Sequence, residues 1–320
     1  MKYLVLAFIA FFFCIVFVGN AQVNLVPNGS FEEYSNCPTS FANINDCKFW
    51  FSPTFSTPDY FNYCTLANEL SVPSNLWGKQ EAHTGNAYSY FCYAATYNIL
   101  NSYGEYVSVH LCETLNENSL YHLKFYVASS SQIPYCHSPP ICGNSVGAFL
   151  SQDSLKYASN QILTLKPQVQ TNIDAFICNE NWIEISQLIV GKGIENYLTI
   201  GVFTNDNNRS LLNGNVSIVS PNNSVESGYY LDDVSLVKID IPNIFTPNDD
   251  GVNDSYLIDL EGFGVNSIRI YNRWGDLMVR GESKISWDGK YQGENCPDGV
   301  YFIQIHISNQ IIYQFIHLKN

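Results

Sequence analysis

Ser145 lies in Gly143-Asn144-Ser145-Val146-Gly147, the spacing of a nucleophile elbow, which needs a strand before the serine and a helix after it. Here a Cys- and Pro-rich stretch precedes the serine, Val146 to Leu150 reads as a strand, and the only later histidines are His306 and His317, close to the end of the sequence. That excludes a serine hydrolase built on this motif. Glu32, Glu33, Asp59, Glu105 and Glu113 could supply a glycosidase pair, but acids scattered over a strand-rich chain mostly face water or close turns. His83, His110, His122 and His137 lack the HExxH spacing of a zinc site. Asn248, Asp250, Val252 and Asp254 alternate as in a calcium loop, yet the glycine of the sharp turn is missing, and turn-forming Asn and Asp explain the run equally well. Catalysis therefore has no clear carrier, and the chemistry to look for is binding.

Rings are the better lead. Trp50, Phe51, Tyr60, Phe61, Tyr63, Trp77, Tyr88, Tyr90, Tyr93 and Tyr97 crowd one stretch, and aromatic faces stack on sugars. A sandwich buries alternate residues, so only a few of these rings can face a ligand. Exposed rings between Trp50 and Trp77 are expected to carry binding, with Trp77 as the platform and Asn75 and Asp59 orienting hydroxyls. Trp50 and Trp182 sit in apolar runs and are expected in the core.

The cysteines point to an oxidising compartment. Cys37, Cys47, Cys64, Cys92, Cys112, Cys136, Cys142 and Cys178 form an even set upstream of an isolated Cys296, the pattern of a disulfide framework in an exported domain. Cys136 and Cys142 flank the turn-rich His137-Ser138-Pro139-Pro140-Ile141 and are expected to pair, leaving Cys296 a free thiol. Zinc at Cys136, His137 and Cys142 is disfavoured because no CxxC pair exists.

The elements that must position these residues are strands. Charged residues make up 14% and aromatics 15% of the chain, which fits an all-β secreted protein and not a disordered one. A net charge of −14 argues against nucleic acid or anionic lipid as partners. Lys2, the apolar run Tyr3 to Val18, and Gly19-Asn20-Ala21 form a cleavable secretory signal over residues 1–21. That run is too short for a span and has no stop-transfer charges, and Phe11-Phe12-Phe13 before Cys14 do not fit a lipoprotein signal. Two domains are expected, 22–238 and 241–320, with 205–227 as a long loop. In the second, Arg269 to Asn272, Val300 to Ile307 and Ile311 to Leu318 read as strands, with a hairpin turn at Ser308-Asn309. Pro297-Asp298-Gly299 is turn chemistry.

Four blocks in that second domain occur in a fixed order. Pro247-Asn248-Asp249-Asp250-Gly251-Val252-Asn253-Asp254 comes first and Asn272-Arg273-Trp274-Gly275 second, followed by Trp287-Asp288-Gly289 and Asp298-Gly299-Val300-Tyr301. They resemble the gliding-motility-associated C-terminal domain, the type B sorting domain of type IX secretion. The resemblance implies a small immunoglobulin-like β-sandwich, recognition by the type IX machinery, and export through the periplasm to the cell surface at the outer membrane or to the medium. Upstream, Asn28-Gly29-Ser30-Phe31-Glu32 and Asp232-Asp233-Val234-Ser235-Leu236 bracket a region that resembles the galactose-binding-like jelly roll of many carbohydrate-binding modules. That implies a non-catalytic domain binding extracellular glycan, with an adhesive protein or an enzyme of unrecognised type as the alternatives. No cofactor is required. A jelly roll sets its first and last strands side by side, so Glu32 can meet Asp232 and Asp233, and related modules hold a structural calcium there; carboxylates capping turns without metal are the alternative. Cys37 and Cys64 flank family-like blocks and form the second expected disulfide.

Overall fold

A computed structural model describes residues 22–95, 103–130, 146–171, 180–203, 225–307 and 310–320. The expected signal segment, Cys136, Cys142, Ser145 and most of the 205–227 stretch lie outside them.

The chain is all-β. One five-stranded antiparallel sheet runs Trp50–Phe51, Tyr106–His110, Tyr197–Val202, Val146–Ser151, Val169–Gln170. Facing it is a six-stranded sheet, in which Ile183–Val190, Leu120–Ser129, Val225–Ile239, Ala87–Ala95 and Asp59–Asn62 follow in order and Tyr103–Gly104 pairs with Ala87–Ala95. Alternation builds the core between them: Val107, Val109, Leu198 and Ile200 point in from the first sheet, and Leu123, Phe125, Val127 and Leu231 from the second, as the period of two along a strand requires. The start of the domain lies along its last strand, since Asn24 bridges Val237 and the Leu25 N–H donates to Leu236 O at 2.8 Å.

Each sheet also has an outer face. On the six-stranded sheet Phe61, Tyr88, Tyr90 and Tyr230 form a second buried cluster against which Trp77 and Trp182 pack. On the five-stranded sheet Tyr106, Leu163 and Phe203 form a third, leaving the Phe51 and Tyr197 end of that face open.

The second sandwich has a five-stranded sheet in the order Ile244–Phe245, Gln310–Leu318, Gly299–Ile307, Val265–Tyr271, Leu277–Gly281 and a two-stranded sheet of Tyr256–Asp259 and Lys284–Trp287. Tyr301, Ile303, Ile305 and Ile307 alternate inward, meeting Ile268, Ile270, Ile312 and Ile316. Leu120 and Leu188 of the first sandwich join this second core, together with Ile239 and Ile241 of the connection. Phe263 meets the His122 ring edge-on at 4.8 Å, and the Gln314 amide donates to Asn118 O at 2.9 Å, so the two sandwiches share an apolar seam.

Candidate functional site

The bracketing acids do converge, and they converge on the backbone of the turn at His83 to Asn86. Asp232 is wholly buried; its Oδ2 accepts the N–H groups of His83 and Thr84 at 2.9 and 3.2 Å, and its Oδ1 accepts that of Asp233 at 2.7 Å. Asp233 Oδ2 lies 2.5 Å from His83 Nδ1, and its Oδ1 accepts the Thr84 hydroxyl at 2.8 Å. Glu32 Oε1 accepts the Asn86 N–H at 2.7 Å. A side chain at Gly85, where φ is +67°, would meet Glu32 Oε1 at 2.3 Å, and one at Gly29 would meet Val234 O at 1.9 Å; both positions need glycine because backbone or carboxylate approaches so closely. Burial, then the neighbouring Asp233 charge, push the Asp232 carboxyl up to about 8. Three N–H groups pull it back. The acids thus do the work of capping, and among the described residues no group of three or more His, Cys, Asp and Glu is arranged to hold a metal ion.

Trp77, Asn75 and Asp59 also come together, and here the geometry corrects the expectation of an open platform. The Trp77 ring lies flat on Tyr90, with centroids 4.9 Å apart and planes 8° apart, and its Nε1 donates to Asp59 Oδ2 at 2.8 Å. Asp59 is buried and also accepts the Ala42 N–H at 2.7 Å. Asn75 donates to the Tyr88 hydroxyl at 2.8 Å and accepts from the Trp77 N–H and the Tyr230 hydroxyl at 2.9 and 3.2 Å. The half-buried Trp77 is a lid on the outer face of the six-stranded sheet, with its polar edge already used. Burial, opposed by the Ala42 N–H and reinforced by the Glu105 charge, raises the Asp59 carboxyl to about 7. Glu105 is buried as well and is held by Tyr103, Thr57 and the Cys92 N–H, so neither acid is presented to a substrate. Trp50 is core, stacked on Phe31 at 4.7 Å. Trp182 is half-buried and donates to Glu81 O at 2.9 Å.

Open rings are found on the opposite face. Two adjoining grooves of about 390 and 710 Å³ share Phe51, Ser154 and Lys156. Phe51 meets Tyr197 edge-on at 6.4 Å, and Tyr197 meets His110 at 4.7 Å. Around them Phe55 is 74% exposed, Phe49 55% and Tyr157 40%. Phe49 sits at φ +73°, a left-handed conformation that is costly for a bulky side chain, and it holds the ring outward while Trp50 points into the core. Among the described residues no carboxylate lines either groove; Ser52, Thr54, His110, Ser154 and Lys156 are among the polar side chains there, and the Ser52, Thr54 and Ser154 hydroxyls bond within the protein. Sequence reasoning missed Phe49, Tyr157 and Tyr197. The signal available was Phe55, a large ring in the polar loop Ser52-Pro53-Thr54-Phe55-Ser56-Thr57.

Cys37 and Cys64 are joined in a disulfide. Cys47 and Cys112 remain thiols, the first buried and the second exposed at a groove edge, so the upstream set is not fully paired. Cys296 is a buried thiol.

In the second sandwich most residues of the four blocks close turns. Asp254 accepts the N–H groups of Asp249 and Gly251, both at 2.8 Å, Asn248 accepts that of Asp250 at 3.2 Å and Asp250 that of Val252 at 2.8 Å, so the alternating acids of this loop face its own backbone. Asn253 and Gly251 adopt positive φ. Asn272 accepts the N–H groups of Trp274 and Asp276 at 2.9 Å, with Gly275 at the turn. Trp287 is buried between Phe245 and Tyr301; Asp288 caps Lys290, and Gly289 packs against Pro247. Asp298 accepts the Asn320 N–H at 2.9 Å beside Gly299, and Tyr301 donates to Pro297 O at 2.9 Å. Trp274 is the exception. It is 72% exposed and has the Arg273 guanidinium 5.1 Å from its ring.

Residues 239–316 match the CHU_C type IX secretion signal domain. The chain is thereby marked as cargo of that secretion machinery, exported to the cell surface or the extracellular medium. No curated protein matches the chain. Among solved structures it is similar to one described as "CBM4 structure and function", at 10% identity over 67% of this chain and 99% of that one, with a TM-score of 0.28. It is also similar to the K2 cleaved adhesin domain of Lys-gingipain, at 12% identity over 68% and 99% of the two chains, with a TM-score of 0.30.

Proposed function

We propose that this protein is a non-catalytic, exported glycan-binding protein that enters the periplasm by a signal cleaved after Ala21, and that its ligand lies in the groove crossed by Phe49, Phe51, Phe55, Tyr157 and Tyr197. The observation that carries the reading is the set of exposed rings Phe49, Phe55 and Tyr157 around half-buried Phe51 and Tyr197 at one end of a sheet face, with no lining carboxylate among the described residues. The exposed faces of Phe49, Phe55 and Tyr157 contribute contact area to a sugar face, and Lys156, which lines both grooves, can donate to its hydroxyls. Expression of the mature chain and exposure to a broad glycan array should give a defined set of glycans, all lost in Phe51→Ala. A well-folded protein that binds no glycan would leave an adhesive role towards protein as the reading.

A further inference from the structure

The five strands of the main sheet in the second sandwich contain no Asp or Glu, although the whole chain carries 29 acids and a net charge of −14. The acids of this sandwich lie in turns, in the two-stranded sheet and in the short Lys290–Tyr291 and Glu294–Asn295 pairing. One side of the five-stranded sheet is core. On the other, register aligns Leu277, Tyr271, Phe302 and Phe315 in one row across four strands, and Arg280, Arg269, Gln304 and Tyr313 in the next. Phe302, Phe315 and Tyr313 are exposed. Tyr271 donates to Gln304, which donates on to Tyr313, so the polar atoms between the rings are tied into one layer.

The cations of this face are unbalanced. Arg269 and Arg280 are direct cross-strand partners, and like charges so placed repel. Among the described residues neither forms an ion pair, nor does Arg273 at the end of the same hairpin. Arg269 Nε and His306 Nε2 are buried without a hydrogen-bond partner. Every arginine of the chain except Arg209 is thus on one hairpin of the domain that marks the cargo. A solvated sheet face would instead carry mixed charges.

We propose that this face is the docking surface of the sorting domain and that its occupant is a protein surface of carboxylate and apolar side chains on the secretion machinery. The proposal rests on the export reading above. Acidic groups would pair the arginines bidentately and satisfy the orphaned nitrogen, while exposed aromatics and arginine are the residues that dominate protein contacts. The turn-closing blocks then hold the sandwich together, and the unbalanced face is what is read.

The test uses the full chain in the bacterium that exports it, with the fraction at the surface and in the medium measured against the periplasmic fraction. Deletion of 241–320 checks the export reading itself. Arg269→Glu with Arg280→Glu should block export and trap a protein of wild-type melting behaviour in the periplasm, whereas Lys290→Glu, a charge reversal off this sheet, should not. If the double variant melts lower, Tyr313→Glu sets a carboxylate on the same face at an exposed position and should trap the cargo alone. Normal export of both face variants while the deletion is trapped would overturn the proposal and leave the export reading intact; normal export of the deletion would overturn both. A dimer of the purified chain that dissolves on the Arg→Glu changes would make the occupant a second copy and would equally overturn it.

Discussion

The two outer faces of the first sandwich present rings of similar size and use them in opposite ways. On the six-stranded sheet, Trp77 stacks on Tyr90 and its indole N–H is bound to a buried carboxylate, while Asn75 links two tyrosine hydroxyls. On the five-stranded sheet, Phe49 and Phe55 stand in solvent and the Phe51 to Tyr197 row borders open grooves. A polar aromatic edge satisfied inside the protein makes a structural lid. A ring whose face is left free, on a strained backbone, is available to a ligand.

The comparison breaks most visibly if Trp77 can be removed cheaply. Trp77→Ala should cost about 3 kcal/mol by analogy with other large-to-small aromatic changes, and more if Asp59, left without its indole donor, stays charged. Chemical denaturation measures this, and a loss under about 1 kcal/mol would mean the lid is ornamental. Asp59 gives the next effect. Its carboxyl is raised to about 7 in the folded protein, against about 3.9 unfolded, so the native state binds the extra proton between those values. Stability from this residue is complete below about pH 4 and is lost as pH rises through about 7. Asp59→Asn should flatten that part of the stability profile, leaving the fall that belongs to Asp232, raised to about 8. An unchanged profile would mean that Asp59 is solvated. The smallest effect is on the open face. Phe49→Gly removes the left-handed strain and should stabilise the fold by about 1 kcal/mol while weakening glycan binding, a trade that a purely structural ring would not make.

Much of the architecture was written in local pattern. Gly299–Ile307 and Gln310–Leu318 alternate cleanly, and the Asn, Asp and Gly of the four blocks fall where turns need caps or positive φ, because those demands act over two to five residues. That Glu32 and Asp232 serve one turn follows from the start of the domain lying along its last strand. The identity of that turn does not, since the His83 to Asn86 turn is distant in sequence from both. Of the rings at the groove, only Phe51 and Phe55 fall in the Trp50 to Trp77 stretch that sequence reasoning singles out. Phe49-Trp50-Phe51 reads as one apolar run, and only the left-handed Phe49 separates an outward ring from the inward Trp50. Trp77 looked open because its neighbours are polar, yet those neighbours are partners of Tyr88, Tyr230 and Asp59, which long-range strand pairing brings beneath it. Tyr157 reaches the groove through its bridge to Thr54, a contact without a local signature.

The most direct test sets one ring from each face side by side, measuring melting and glycan-array binding for Phe55→Ala and Trp77→Ala in the mature chain. The account predicts that Phe55→Ala melts as the wild type and loses binding, while Trp77→Ala melts early and, at temperatures where it is folded, still binds the same glycans. Retained binding in Phe55→Ala together with loss in folded Trp77→Ala would return the ligand to the six-stranded sheet and contradict it.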